Sequence, residues 1–219
     1  MILLGEHTVQ PNGLDRYLRR HHWGRMWARD PAKFETTKEI CGFDNGAYSS
    51  WRAGKPFHAN RLQRRLDAFL AQPTAVQRCL VAVTPDIPAQ GAESLDFSMR
   101  WLDRLPSELP WYLAVQDGMG IAMVQEVIDY FAGIFLGGTN AFKQSANAWC
   151  KFAHENGKPF HYGRCSTVNR LRDAIAIGAE SVDSALPVIN WNMGDKKRAR
   201  SKRWLDVASG DDRQLTFGF

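Results

Sequence analysis

The chain alternates short apolar runs with longer amphipathic stretches from its start to about position 186. The apolar runs are rich in β-branched and aromatic side chains, which is typical of strands buried on both faces. The pattern therefore predicts seven strands, at residues 2–5, 40–43, 79–84, 111–115, 133–137, 159–163 and 181–186.

Between these runs, apolar residues recur at helical spacing. The spacing predicts a helix over 59–72, and similar stripes run through 95–105 and 124–131. Gly157 and Gly178 stand where helices should stop before the next strand. Strands that alternate with helices pair in parallel through right-handed crossovers, so we expect an α/β chain built of βα units.

Asp44-Asn45-Gly46 follows the second run and has two interpretations. Asn-Gly is a strong signal for a two-residue hairpin turn. The next convincing strand, however, begins only at residue 79, beyond the helix predicted at 59–72. Parallel pairing therefore favours a loop that leads from a strand into a helix.

The pattern predicts one domain over residues 1–219, a compact, modified TIM-type (β/α)8-like barrel. Seven strands and 219 residues are few for this fold, which typically takes roughly 250 residues. A missing or irregular strand is therefore part of the prediction, and residues 213–219 are a candidate closing piece. We further distinguish a basic segment at 194–204 and a C-terminal tail at 205–219.

The net charge of +5 is concentrated in one run. Without the six basic residues of 196–203, the chain has 22 positive and 23 negative charges. These residues are Lys196, Lys197, Arg198, Arg200, Lys202 and Arg203. Such a run is usually a solvated surface, but it is also typical of a segment that contacts nucleic-acid phosphates.

The sequence contains neither a membrane-spanning pattern nor the cysteine spacing of a metal site, and both facts bear on the expected cellular compartment. No apolar run approaches the roughly 18 residues of a membrane span, and no basic leader precedes "MILLGEH", so we expect a cytoplasmic protein with no membrane partner. The four cysteines show no CxxC spacing and three fall in apolar runs, which favours buried free thiols over zinc ligands or disulfides. We expect neither a metal nor a cofactor.

Polar residues follow the carboxyl ends of the predicted strands, where (β/α)8 barrels build their active sites. They are Asp44, Asp86, Gln116, Gly137 with Gly138, Arg164 and Asp183. Asp86 and Gln116 could meet the N–H donors and carbonyl of a guanine edge, and Gly138 would let a backbone N–H approach closely. Asp44 and Asp183 could then act on a glycosidic carbon, one as nucleophile and the other as acid/base, as carboxylate pairs do in retaining glycosidases.

Each position also has a purely structural interpretation. Asp44 could cap the following helix or serve its turn, Asp86 could start a turn before Ile87-Pro88, and the double glycine could permit tight packing. Asp183 is the hardest to explain in this way, because an acid among small apolar residues is costly to bury unless it is used or paired.

Over residues 40–187 the chain resembles the tRNA-guanine transglycosylases. Their motifs run in the order of an aspartate in a DSGGF-like turn, an aspartate after an apolar strand, a VQGG glutamine, a GGL loop, and a nucleophilic aspartate in an MFDCVMP-like strand. The matching positions are Asp44, Asp86, Gln116, Gly137 with Gly138, and Asp183. The stretches 134–143 and 161–185 look closest to short phage and bacterial relatives that place 7-deazaguanines in DNA.

The resemblance implies that Asp183 is the nucleophile and Asp44 the acid/base. We expect the base to be contacted by Asn45, Asp86, Gln116, Gly137, Gly138, Thr139 and His161. Nucleic-acid contacts are expected from Arg164, from Trp191 by stacking, from Lys143 at a helix start where a phosphate is a suitable partner, and from the six basic residues of 196–203.

The chain departs from the family in ways that bear on the substrate. It lacks the C-terminal zinc site of three cysteines and a histidine, Asn45 replaces serine, and Thr139 replaces leucine. The prediction is therefore a glycosyltransferase that exchanges guanine in DNA, not tRNA, for a 7-deazaguanine. The alternatives are a nucleosidase that hydrolyses a deazaguanine nucleoside and a non-catalytic nucleic-acid-binding barrel subunit.

Overall fold

The protein's computed structural model describes residues 1–5, 23–28, 40–191 and 193–210. Eight parallel strands pair in sequence order, and the last pairs with the first to close a barrel. The strands are β1 Ile2–Gly5, β2 Trp23–Trp27, β3 Cys41–Phe43, β4 Cys79–Val83, β5 Trp111–Val115, β6 Gly133–Leu136, β7 Phe160–Tyr162 and β8 Ser181–Asp183. The TIM-type (β/α)8 prediction is confirmed.

All seven predicted strands are present, and β2 is the strand that the sequence analysis missed. The expectation of a missing strand is therefore wrong, whereas an irregularity is present, because the pairing of β3 with β4 shifts register between Cys41 and Gly42. Gly5 of β1 specifies the packing of β2, because any side chain at Gly5 would collide with the indole ring of Trp23. Residues 213–219, the candidate closing piece, lie outside the described residues, and β8 pairs directly with β1.

Nine α-helices lie in the described part of the chain. They are α1 Ala47–Arg52, α2 Ala59–Leu70, α3 Pro73–Gln77, α4 Gly91–Leu102, α5 Ile121–Gln125, α6 Ala146–Glu155, α7 Val168–Ala176, α8 Leu186–Trp191 and α9 Asp195–Ser209. Gly157 and Gly178 follow helices with φ of 65° and 85°, as expected of helix stops. The stripe at 124–131 is not one helix, since α5 ends at Gln125 and a 3₁₀ turn follows.

The Asp44-Asn45-Gly46 segment is a loop into α1 and not a hairpin, because β3 pairs in parallel with both β2 and β4. Two side chains shape the loop. The Gly46 N–H donates to Asp44 Oδ1 and the Ala47 N–H donates to Asn45 Oδ1, each at 2.6 Å. The turn interpretation of Asp44 therefore holds alongside any chemical one.

The barrel interior positions the site. Its buried apolar cluster comes mainly from alternate strand residues: Leu4, Met26, Val81, Val83, Tyr112, Ala114 and Phe135. The same alternation places Gln116, which follows β5, after Ala114, and Asp183, the last residue of β8, after Ser181 on the inward side. Larger apolar clusters fill the space between strands and helices.

The basic segment belongs to α9, which packs against α8 and α7. Trp204 of α9 is buried and its indole N–H donates to the Cys165 carbonyl at 3.1 Å. α9 runs across the boundary expected between a segment at 194–204 and a tail at 205–219, and residues 211–219 lie outside the described residues.

All four cysteines are buried free thiols, as predicted. Among the described helices, none is long and apolar enough to cross a membrane.

Candidate active site

A cavity of about 430 Å³ opens at the carboxyl ends of the strands. Eight of the predicted site residues line it: Asp44, Asn45, Asp86, Gln116, Gly137, Gly138, Arg164 and Asp183. They come from the ends of five strands and the loop after β7, so the structure brings the five motif positions of the sequence into one space.

Asp183 ends β8 with a side chain that is 15% exposed. Its Oδ1 accepts a hydrogen bond from the backbone N–H of Arg164 at 2.9 Å and one from His161 Nε2 at 3.1 Å. No donor among the described residues bonds its other oxygen, Oδ2. The carboxylate is thus held on one side and open on the other.

Arg164 has φ of 51°, a left-handed conformation that is unusual for a residue with a side chain. Such a conformation costs on the order of 1 kcal/mol or more and persists where the surroundings determine it. Here it accompanies the N–H donation to Asp183.

His161 was predicted to contact the base, but it is fully buried and lies behind the cavity wall. Its ring stacks on Phe135, with centroids 4.9 Å apart and planes 10° apart. Since a carboxylate can only accept, Nε2 donates to Asp183, while Nδ1 lies 2.7 Å from the Ser181 hydroxyl. His161 therefore positions Asp183 and does not line the cavity.

Asp86 is the centre of a buried hydrogen-bond chain that runs from β3 to β6. Asn45 Nδ2 donates to Asp86 Oδ1 at 2.6 Å, and Gln116 Nε2 donates to Asp86 Oδ2. Gln116 Oε1 in turn accepts from the Gly138 N–H at 3.0 Å. The groups expected to recognise a base thus hold one another in place.

Burial raises the pKa of Asp86 from 3.8 to about 7, against the opposing effect of the Asn45 hydrogen bond. The nearby Asp44 carboxylate raises this pKa further, and Arg164 lowers it. Asp86 can therefore gain or lose a proton near neutral pH.

Asp44 is held through its backbone. Arg65 of α2, which is 4% exposed, donates from Nη2 to the carbonyls of Asp44 and Trp27, each at 2.7 Å. This one guanidinium therefore ties α2 to the ends of β2 and β3.

Arg164 also crosses the cavity mouth to Tyr48, which the sequence analysis did not single out. Its Cζ lies 3.7 Å from the centroid of the Tyr48 ring, and its Nη2 donates to the Gly138 carbonyl. Tyr48 follows β3 and Arg164 follows β7, which stand on opposite sides of an eight-stranded barrel. An aromatic residue four positions after a strand-end acid was the available signal for Tyr48.

Further lining residues were missed. Asn140, Ser166, Arg170 and Ser184 contribute polar groups to the cavity. Nothing in the sequence distinguished them from ordinary loop and helix residues, because their position depends on how the loops fold over the mouth.

Besides His161 and the basic residues of 196–203, three residues predicted to contact the base or the nucleic acid do not line the cavity. Thr139 donates its N–H and hydroxyl to the Asp117 carboxylate and does not line the cavity. Trp191 is 5% exposed and packs in the core, so it offers no face to a base. The third is Lys143.

Lys143 is 4% exposed, which leaves no access for a backbone phosphate. Its Nζ donates to the carbonyls of Leu136 at 2.8 Å and Gly163 at 2.5 Å, joining the ends of β6 and β7. Burial lowers the pKa of this amine to about 7, and Arg164 lowers it further.

The six basic residues of 196–203 lie on α9 and none lines the cavity. All are exposed except Arg198, which is half-buried and donates to the Trp191 carbonyl at 3.1 Å. The helix that carries them, α9, packs on α8, whose first residue Leu186 lines the cavity.

No family model and no curated protein matches the chain. Two solved structures are similar to it at 10% identity over 98% of its length. One is a cube-shaped, porous protein cage designed by fusing symmetric oligomeric domains, with a TM-score of 0.47 over 73% of that chain. The other is the native KDPGal structure, with a TM-score of 0.46 over 96% of that chain. At this identity neither indicates what the present chain acts on.

Proposed function

We propose that this protein is an enzyme that exchanges guanine in DNA for a 7-deazaguanine base, such as 7-cyano-7-deazaguanine. The observation that carries the proposal is that five motif positions, spread over some 140 residues, line one cavity. The resemblance of those positions to the tRNA-guanine transglycosylases supplies the reaction, and the geometry is compatible with it.

In the first half of the reaction, Asp183 Oδ2 attacks the sugar C1′ as the bond from C1′ to guanine N9 breaks. The electron pair of that bond leaves with guanine, and Asp44 donates the proton that neutralises it. The product is a glycosyl ester of Asp183. Its open Oδ2, with Oδ1 held by His161 and Arg164, suits this role.

In the second half, N9 of the incoming base attacks the same carbon and the ester bond to Asp183 breaks. Asp44 takes the proton that the base loses. Two inversions give retention of configuration, as with retaining glycosidases. One glycosidic bond replaces another, so the exchange needs no separate energy source.

Base recognition falls to Asp86 and Gln116. Asn45 and Gly138 hold these groups in fixed orientations, yet each Asp86 oxygen keeps a lone pair and Gln116 keeps a second amide N–H. A guanine-like edge needs both kinds of partner, since it offers N–H donors and a carbonyl.

Two features favour DNA as the substrate. The chain lacks the three-cysteine, one-histidine zinc site of the tRNA enzymes, and its own cysteines are buried among apolar residues. The other is the set of exposed charges on α9, which suits a phosphate backbone and lies on a helix that packs against α8. A guanine in a duplex must first leave the stack, at a cost of a few kcal/mol.

Mass spectrometry of cellular nucleic acids tests the proposal. Cells that express the protein receive 7-cyano-7-deazaguanine, and their DNA and tRNA are digested separately to nucleosides. The proposal expects the modified nucleoside in DNA and none above background in tRNA. Modified tRNA alone would reverse the substrate assignment, release of free base without insertion would indicate a nucleosidase, and unmodified nucleic acid with tight binding would indicate a binding subunit.

A further inference from the structure

A second cavity, of about 260 Å³, lies between α1 and the start of α2. It shares three lining residues with the active-site cavity: Ala28, Asn45 and Ser49. The two cavities are therefore neighbours across the loop that carries Asp44. We refer to the second one as the α2 cavity.

The α2 cavity is lined by cationic groups. His58, Arg61 and Arg65 contribute positive or ionisable side chains, and Ser49 and Ser50 contribute hydroxyl donors. Among the described residues that line it, none is an aspartate or a glutamate. Lining of this composition suits an anion that accepts several hydrogen bonds, as a phosphate does.

The start of α2 adds to this character. The twelve-residue helix begins after His58, has no side-chain cap, and has no acidic residue in its first turn. The first backbone N–H groups of a helix have no partner within the helix and carry partial positive charge, which favours an anion. The start of α2 and the cationic side chains of the cavity thus both favour an anion.

The α2 cavity is also connected to the catalytic carboxylate. Arg65, which forms part of its lining, donates to the Asp44 carbonyl at 2.7 Å and lies 2.8 Å from where a Cβ on Gly46 would be. A ligand that fixes this guanidinium therefore also fixes the backbone from which the Asp44 side chain extends.

We propose that the α2 cavity binds a backbone phosphate of the strand whose guanosine occupies the active-site cavity. The inference rests on the proposed function, because it takes the nucleic-acid strand as the ligand of the neighbouring cavity. The wall that the two cavities share places the α2 cavity next to the bound nucleotide, where a flanking phosphate can enter it. The α2 cavity would then position the strand, leaving α9 to contribute sequence-independent attraction on the other side.

Neutral-linkage scanning tests this inference. A short single-stranded oligonucleotide with one guanine is made in versions that each carry one uncharged methylphosphonate in place of a phosphate. Binding of each version to the full-length protein is measured by fluorescence anisotropy. At one linkage next to the guanine, we expect the replacement to weaken binding to the parent protein by about ten- to hundredfold, the range for one lost charge-assisted contact.

Arg61→Gln and Arg64→Gln form the matched pair. Both arginines are exposed on α2, but only Arg61 lines the cavity. With Arg61→Gln, that same methylphosphonate should cost less than about twofold, because the contact is already lost. Arg64→Gln should respond as the parent does.

The outcomes separate the inference from the proposed function. Equal sensitivity of all three proteins at every linkage, or no oligonucleotide binding by the parent, would overturn the inference. Binding of inorganic phosphate that depends on Arg61, without coupling to any linkage, would replace it with a free-anion site. If the effect of a flanking methylphosphonate depends on Arg61 but no base exchange occurs, the phosphate site is supported and the proposed function is contradicted. If base exchange occurs but no linkage depends on Arg61, the proposed function is supported and the phosphate site is contradicted.

Discussion

His161 Nε2 donates to Asp183 Oδ1 across adjacent strands, at 3.1 Å. The histidine side chain is fully buried, and that of Asp183 is 15% exposed. The pairing of β7 with β8 sets this contact, since His161 stands opposite Ser181, two residues before Asp183. The hydrogen bond directs one carboxylate oxygen into the barrel wall. The other oxygen remains open, as the proposed attack on the substrate carbon requires.

We predict that His161→Phe slows base exchange by roughly 10²-fold, the cost of a misplaced reacting group. Phenylalanine retains the stacking on Phe135 but removes both hydrogen bonds. The loss should appear in kcat with little change in KM. His161→Gln, whose amide can donate to Asp183, should recover part of the rate; failure of this rescue, with both variants folded, would argue against a positioning role.

Asp86 makes stability depend on pH. Its pKa is about 7 in the folded protein, against 3.8 for the unperturbed group. Between these values the folded protein keeps a proton that the unfolded chain has lost, so the free energy of unfolding falls as pH rises through this range and then levels off. The full effect is on the order of 4 kcal/mol.

Asp86→Asn cannot titrate at this position, so its stability should fall less than that of the parent between about pH 5 and about pH 8. Urea unfolding of both proteins at both pH values measures the difference in stability change. The other titrating groups are common to the two proteins, so their contributions cancel to first order. Parallel pH dependence of the two proteins would show that Asp86 has an ordinary pKa.

Lys143 should act in the opposite direction at higher pH. Its pKa is about 7 when folded and 10.5 when unperturbed, so the unfolded chain binds more protons between these values. Stability from this group therefore rises with pH through that window. We predict that Lys143→Met removes the rise, as measured by urea unfolding at about pH 7 and about pH 9, and an unchanged rise would contradict the assignment.

The basic surface of α9 should act through salt-dependent binding. Replacing the six basic residues of 196–203 by glutamine should lower the slope of log affinity against log salt by about 0.9 for each lost contact with duplex DNA. A matched comparison uses Arg200→Gln with Arg203→Gln against Arg100→Gln with Arg104→Gln, both pairs being exposed. The α9 pair should lose more slope, and equal losses would mean that only net charge matters.

The strands were predictable because a strand buried on both faces must be almost wholly apolar. The exception, β2, reads Trp-Gly-Arg-Met-Trp, and its glycine and arginine interrupt the apolar run. Its place is specified by a distant partner, the indole of Trp23 over Gly5, which no local pattern reveals.

The site was predictable where side chains extend from strand ends, as with Asp44, Gln116 and Asp183. It was not predictable where burial depends on the loops. Lys143 looks like a surface cation in sequence, and only the meeting of the Leu136 and Gly163 carbonyls places it inside. The bonds of Asn45 and Gln116 to Asp86 join residues 41 and 30 positions apart, so no local motif predicts them.

The central claim is that Asp183 forms a covalent bond to the sugar while Asp44 moves the proton. The most direct measurement is intact-protein mass spectrometry after denaturing a mixture of the protein, a guanine-containing oligonucleotide and 7-cyano-7-deazaguanine. For the parent and for Asp44→Asn, we predict an adduct whose mass exceeds that of the protein by the mass of the oligonucleotide less guanine. Asp44→Asn should turn over roughly 10²- to 10⁴-fold more slowly than the parent. Asp183→Ala should give no adduct and no exchange. An adduct that survives Asp183→Ala but disappears with Asp44→Asn would reverse the two roles, and base exchange by both variants would contradict the transglycosylase mechanism.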